Sequence, residues 1–350
     1  MNTNNDLRRQ ALAEWAGQQQ TWALQPDTIA PASADASFRR YFRVSSGHAD
    51  HPSVILMDAP PPQEDVRPFI DIAQRLWDAG VHVPQILAAD VERGFLALSD
   101  LGNTTYLGVL KPDNARQLYE AAWVDMVRFQ TAARVDGLPA YDRTRLVNEM
   151  ELFPQWYCER HKATTLSTEE RNDLTKVFDL LATDALAQPP VLVHRDYHSR
   201  NLMAVDPEVA DRFGRLGQPG ILDFQDAVTG PATYDLVSLF KDAYIEWDRE
   251  QILDWTIRYW ELAKRAGVPV SQDPAEFFRQ FEWMGLQRHL KVLGIFARLY
   301  HRDGKSGYLK DLPLVMSYTR QVAGAFRAFA PLVRLLDRLE DIEVKVGYTF

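Results

Sequence analysis

The chain has 350 residues, 46% of them hydrophobic and 25% charged, a balance that suits a globular protein with one large core or two lobes. A formal net charge of −9 without a long Lys/Arg run argues against a nucleic-acid partner, and the single cysteine, Cys158, rules out an intramolecular disulfide or a Cys-based zinc site. Met1 to Gln10 lacks the apolar core of a secretory signal and no apolar run approaches bilayer length, so a cytoplasmic location with no membrane partner is expected.

Residues 6–22 read as a helix that ends in a polar Gln run. Strands are expected at Tyr41, Phe42 and Val44 and at Ser53 to Met57, joined by the turn-forming Gly47-His48-Ala49-Asp50. The turn ahead of them, Ser33-Ala34-Asp35-Ala36-Ser37, has small residues that let backbone N–H groups approach a phosphate, which makes Ser37 a candidate nucleotide contact. Phe69, Ile72, Ala73, Leu76 and Trp77 recur at helical spacing after Pro68, with Gly80 just past the helix end. Pro84 to Ala88 and Phe95 to Leu98 then form two strands about a turn containing Gly94.

After Asp100-Leu101-Gly102 the character changes. Lys111 to Ala133 is a long helix with Leu118, Ala122 and Met126 at i, i+4 spacing, and helical patterns dominate from there. The exceptions are short strands at 191–193, 202–205 and 220–224, the last two joined by a long turn from Asp206 to Pro219. An α+β, two-lobed protein follows, with a β-rich lobe over 1–100 and a mostly helical lobe over 101–350. The cleft falls at the Leu98 to Gly102 crossover, where a ligand is expected.

The chemistry concentrates in two segments. His194-Arg195-Asp196 is followed by Asn201 in the pattern H-R-D-x-x-x-x-N, and Gly220-Ile221-Leu222-Asp223-Phe224 places a D-F pair after an apolar strand. Phosphoryl transfer needs a base for the attacking hydroxyl and hard oxygen ligands for Mg²⁺. Asp196 is the candidate base, worth ~10²–10⁴ in rate. Asn201 and Asp223 are the candidate metal ligands, since Mg²⁺ takes one or two carboxylates plus phosphates and waters. His194 braces the loop, and Asp235 either braces it too or caps the next helix.

The strand Ser53 to Asp58 has no lysine for the phosphates, and Met57 stands where one would be sought. Arg39, Tyr41 and Arg43 share one strand face, so Arg39 and Arg43 are candidates for the missing charge. Ser99 and Leu101 complete the candidate nucleotide contacts. Trp156, Trp283, Glu151, Arg288 and His289 are candidates to line a sugar site, with most of the aromatics read as core. Cys158, beside Trp156 and Tyr157, reads as a small buried hydrophobe.

With these motifs the chain resembles the aminoglycoside phosphotransferase and choline kinase branch of the protein-kinase-like superfamily. Met57-Asp58-Ala59-Pro60-Pro61, Leu98-Ser99-Asp100-Leu101-Gly102 and Gln287-Arg288-His289-Leu290-Lys291-Val292-Leu293-Gly294 are similar to the bacterial anomeric sugar kinases of peptidoglycan recycling, which act on N-acetylmuramate and N-acetylglucosamine. The resemblance implies a protein-kinase-like two-lobed fold, ATP and Mg²⁺ as cofactors, and phosphorylation of an amino sugar at its anomeric hydroxyl; a monomer is expected. His198 and Asp226 are candidates for hydrogen bonds to ring hydroxyls. A polycationic aminoglycoside calls for an acidic pocket, whereas a muramate carboxylate calls for a cation such as Arg288. The alternatives are an aminoglycoside or other small-alcohol phosphotransferase and an inactive nucleotide-binding module. Intact Asp196, Asn201 and Asp223 argue against the latter.

Overall fold

The computed structural model describes residues 3–34 and 38–342. The chain folds into two compact units, one of Met1–Arg134 with Arg200–Ala227, the other of Val135–Ser199 with Val228–Phe350. The lobe boundary expected at residue 100 therefore lies inside the first unit, which also takes back the segment that carries Asn201 and Asp223.

In the first unit, β1 (Ala30–Ala34), β2 (Arg40–His48), β3 (His51–Asp58), β4 (Ile86–Asp90) and β5 (Phe95–Ser99) form an antiparallel sheet in the order β1-β2-β3-β5-β4. Period-two alternation sorts its side chains. Phe42, Val44, Val54 and Leu56 pack with Leu12 and Trp15 of α1 (Thr3–Gly17), each such fully buried side chain contributing about 1.5–3 kcal/mol. Tyr41, Arg43, Ile55 and Met57 belong to the opposite face, in the register Tyr41 with Met57 and Arg43 with Ile55. Asp58, wholly buried, accepts from Arg8 Nε (2.9 Å) and Arg40 Nε (3.0 Å), which ties α1 to the sheet. Gly94 has φ +71°, and a Cβ there would lie 1.9 Å from the Ala59 carbonyl oxygen, so no other residue fits that turn.

The first unit also holds α2 (Arg67–Asp78) and α3 (Ala115–Ala132). α3 begins four residues later than the periodicity predicts, because Asn114 turns its side chain to accept the Lys111 N–H before the helix starts. Likewise α1 stops at Gly17, and Gln20–Trp22 forms a separate 3₁₀ turn. The expected long turn after Asp206 contains a helix, Pro207–Arg212. Asp206 caps it by accepting the Glu208 N–H, and Pro207 sits at its first position.

The second unit is helical. It is built on α4 (Arg143–Met150), a π-type helix at Phe153–His161, α5 (Thr168–Ala187), α6 (Thr233–Phe240) and α7 (Pro274–His301). Ser167 and Glu170 close a capping box at the start of α5. Met284–Leu293 of α7 is buried on every side, as expected of a helix through the middle of a core. At Gly294 the backbone of Leu152 comes so close that a Cβ would lie 2.3 Å from its carbonyl carbon. The strand Pro190–Val193 pairs with an unanticipated strand, Val228–Pro231, in which Gly230 and Pro231 read as turn residues. Cys158 is buried, as expected, and burial pushes its thiol up. Among the described residues no helix is long and apolar enough to cross a membrane.

Candidate active site

The apolar strand Pro190–Val193 delivers the loop His194–Ser199 to the second unit, where α6 and the residues just after it hold both of its ends. Asp235, in the first turn of α6, accepts the backbone N–H of His194 (2.7 Å) and of Arg195 (3.0 Å). Asp242 accepts the backbone N–H of Ser199 (2.9 Å) and its hydroxyl. The Asp196 N–H donates to His194 Nδ1 (3.2 Å), so His194 braces the loop as expected. Arg195 has φ +80°, a conformation that costs a bulky residue on the order of 1–3 kcal/mol. Its guanidinium is fixed by Glu149 at 2.7 Å and lies over the Tyr141 ring.

Glu149 joins three groups: Arg195, the Tyr141 hydroxyl and Lys291, whose Nζ is 3.2 Å away. Lys291 also donates to the Tyr234 hydroxyl (2.9 Å). Burial works to lower Lys291, but Tyr234, Glu149 and Asp196 outweigh it and hold the ammonium charged. Burial would raise the Asp196 carboxyl; Lys291, His198, Arg288 and Arg195 overcome it and keep Asp196 below the ordinary carboxylate range. Asp196, His198, Tyr244, Arg288 and Lys291 line a cavity of about 140 Å³ within this unit.

The first unit has its own cavity of about 350 Å³. Ile55, Leu98, Leu101, Met203 and Phe224 give it apolar sides, and Asn201 and Asp223 line it as well. The strands Leu202–Met203 and Gly220–Ile221, shorter than expected, pair in register, and the Leu222 N–H donates to the Asn201 carbonyl (2.9 Å). This pairing brings Asn201 Nδ2 within 3.5 Å of Asp223 Oδ2. Asp223 has φ +61°, a conformation an Asp tolerates. One carboxylate beside one amide is a hard-oxygen donor set of the kind that suits Mg²⁺, whose remaining positions phosphates and water fill. No group of three or more His, Cys, Asp or Glu able to hold a metal occurs among the described residues.

The cavity-lining residue of β3 is Ile55; Met57, two positions on, is wholly buried and does not reach the cavity. Arg43 lines it, but its guanidinium forks onto Asp100, with Nη2 to Oδ1 at 2.9 Å, and Ser53 also donates to that carboxylate. Arg39 Nη2 lies 3.4 Å from Asp223 Oδ1. Ser99 and Leu101 are in the lining, the Ser99 hydroxyl accepting the Gln85 N–H. Ser37 lies outside the described residues.

Of the expected sugar contacts, the structure brings His198 and Arg288 together with Asp196, while Asp226 is exposed in the first unit and lines neither cavity. Trp283 packs on Phe329 and under Arg279, and Glu151 faces Arg171. His289 Nε2 is 3.1 Å from the Lys241 carbonyl oxygen, and burial pushes its imidazole down to about 3. Lys291, Glu149 and Asp242 were missed from sequence. The i, i+3 spacing of Arg288 and Lys291 on α7 was the available signal for the first.

A profile of the phosphotransferase enzyme family matches residues 28–268. The chain is 48% identical over 314 residues to the N-acetylmuramate/N-acetylglucosamine kinase of Pseudomonas aeruginosa, covering 90% of this chain and 89% of that protein. It is 46% identical to the protein of the same name from Neisseria meningitidis, covering 91% and 93%. The ADP-bound crystal structure of the aminoglycoside phosphotransferase APH(2'')-Ib shares the fold, with a TM-score of 0.52 at 12% identity, covering 89% of this chain and 98% of that one.

Proposed function

This chain belongs to the phosphotransferase enzyme family, and we propose that it transfers the γ-phosphoryl of ATP to the anomeric hydroxyl of N-acetylmuramate and N-acetylglucosamine. The observation that carries this reading is the cavity that sets Asp196, held ionised, beside Arg288 and Lys291. The names of the relatives supply the sugars.

Asp196 is the base. A sugar hydroxyl in hydrogen-bond reach of its carboxylate is oriented by it and gives up its proton as the new P–O bond forms and the γ-phosphorus bond to the departing ADP oxygen breaks, so the proton ends on Asp196 and ADP leaves. The anomeric hydroxyl is more acidic than an ordinary alcohol, which lowers the demand on a base of this strength. His198 donates to or accepts from the sugar within the same cavity, and Glu149 keeps Arg195 and Lys291 fixed around the base. In the first unit, the apolar sides of the larger cavity receive the nucleobase, while Asn201 and Asp223 hold the metal. Bound there, Mg²⁺ neutralises charge on the phosphates. Arg39, beside Asp223, supplies the positive charge that β3 does not.

Two lysine or arginine charges in the sugar cavity disfavour a polycationic aminoglycoside, and the complete set Asp196, Asn201 and Asp223 disfavours an inactive module. The test is coupled ADP release across amino sugars, hexoses, choline and aminoglycosides, with phosphorus NMR of the product. An N-acetylhexosamine 1-phosphate is expected. Phosphate at C6, or turnover confined to sugars with a blocked anomeric oxygen, would overturn the anomeric assignment.

A further inference from the structure

Two of the cations around Asp196 are already engaged by other side chains. Lys291 is spent on Tyr234 and Glu149, and Arg195 on Glu149. Arg288 is only 4% exposed, lines the Asp196 cavity, and its Nε and Nη1 have no hydrogen-bond partner. A guanidinium with buried, unmade hydrogen bonds forfeits solvation without compensation, and buried arginines are almost always paired. An acceptor that enters the cavity with the substrate would supply the partner that the protein does not. A planar guanidinium matches a carboxylate in shape as well as charge.

We propose that Arg288 is the specificity-determining residue of the sugar cavity, binding the carboxylate of an acidic N-acetylhexosamine such as the lactyl group of N-acetylmuramate. This rests on the sugar-kinase reading above. The neutral N-acetylglucosamine has no group to meet Arg288, so it is bound with that guanidinium unpaired, or bridged by water, and is the poorer substrate. A charge-assisted hydrogen bond of this kind is worth roughly 1.5–3 kcal/mol, or about 10- to 100-fold in kcat/KM.

The test compares N-acetylmuramate, its methyl ester and N-acetylglucosamine in the wild-type protein, Arg288→Lys and Arg288→Gln, reading both kcat/KM and calorimetric Kd. Arg288 also favours the ionised form of Asp196, so its loss weakens turnover of every sugar. The informative quantity is the ratio between sugars. In Arg288→Gln the preference for the free acid over the ester and over N-acetylglucosamine is expected to collapse by about 10-fold or more. Arg288→Lys, which keeps the charge, is expected to retain part of it.

Equal losses for all three sugars would overturn the proposal and assign Arg288 to the transferring phosphoryl group. If Arg288→Gln does not fold, the wild-type comparison of acid with ester decides: equal affinity overturns the clamp. Absence of turnover on any sugar would sink the kinase reading instead, and the Kd ratio of acid to ester would still judge Arg288.

Discussion

One carboxylate, Asp235, accepts the consecutive backbone N–H groups of His194 and Arg195, 41 and 40 positions before it in the chain. That pair of bonds sets the direction in which the next residue, Asp196, leaves the strand, and it offsets the cost of the positive φ at Arg195. Asp235 is therefore a positioning residue, which acts on the reaction through the backbone of the loop.

Asp235→Ala strips two buried N–H groups of their acceptor, at about 1–3 kcal/mol each. We expect a lowered Tm and a fall in kcat with the KM for ATP nearly unchanged, since the cavity proposed for the nucleotide belongs to the other unit. Asp235→Asn, which keeps one acceptor oxygen, should recover part of both. A kcat as high as wild type in a folded Asp235→Ala protein would remove the loop-bracing role.

Asp196→Asn keeps the shape of the base and removes its ability to take a proton. Turnover should drop by ~10²–10⁴ while nucleotide binding, followed by calorimetry, survives. The pH profile follows from the same residue. Its carboxyl is held below the ordinary value near 3.8, so the required ionised form persists through neutral and mildly acidic pH and is lost only as pH falls through that depressed value. Removing the charge that favours the ionised form most, with Lys291→Met, should move the acidic limb of kcat/KM upward. An unmoved limb would mean that Asp196 does not set it.

Magnesium tests the two proposed ligands, Asp223 and Asn201. Asp223→Ala deletes the anionic ligand and should raise the Mg²⁺ concentration for half-maximal activity strongly. Asn201→Ala deletes a neutral one and should raise it less. Titrations of Mg²⁺ at fixed ATP check both; the same half-maximal concentration in both variants as in wild type would place the ion elsewhere.

The motif residues were legible because their geometry is local. An apolar strand, a loop of fixed length and an Asn a few positions on aim side chains through short-range turns. Asp223 declared itself for the same reason, at the end of an apolar strand. The residues that hold the loop were not legible. Glu149, Asp235 and Asp242 meet it across 40 or more positions, where spacing carries no information, and only Asp235 stands close to a motif in the sequence. Lys291 was obscured in another way, since a charged residue on a helix normally marks its solvated face, and α7 buries it. Pro207–Arg212 was hidden by its position in a connecting segment, although Asp206-Pro207 is a start signal for a helix. Alternation puts Ile55 and Met57 on one face without saying which of them reaches the cavity, and only Ile55 lines it.

His82 gives the first unit a built-in sensitivity to acid. It is wholly buried, both ring nitrogens lack a hydrogen-bond partner, and its ring stands 5.8 Å from that of Phe213. Burial first, and Arg215 second, push its imidazole from 6.5 down to about 4. The unfolded chain therefore binds a proton as pH falls below 6.5, while the folded chain does not until about 4. The stability this residue contributes is complete above the unfolded value and is lost as pH drops through that interval, to roughly 3 kcal/mol in all. His82→Phe removes the titration, and it abandons no side-chain hydrogen bond. Its Tm should match or exceed wild type at pH 7, and it should fall less than wild type between pH 7 and pH 5. Parallel Tm curves for the two proteins over that range would show that His82 is not the group that protonates on unfolding.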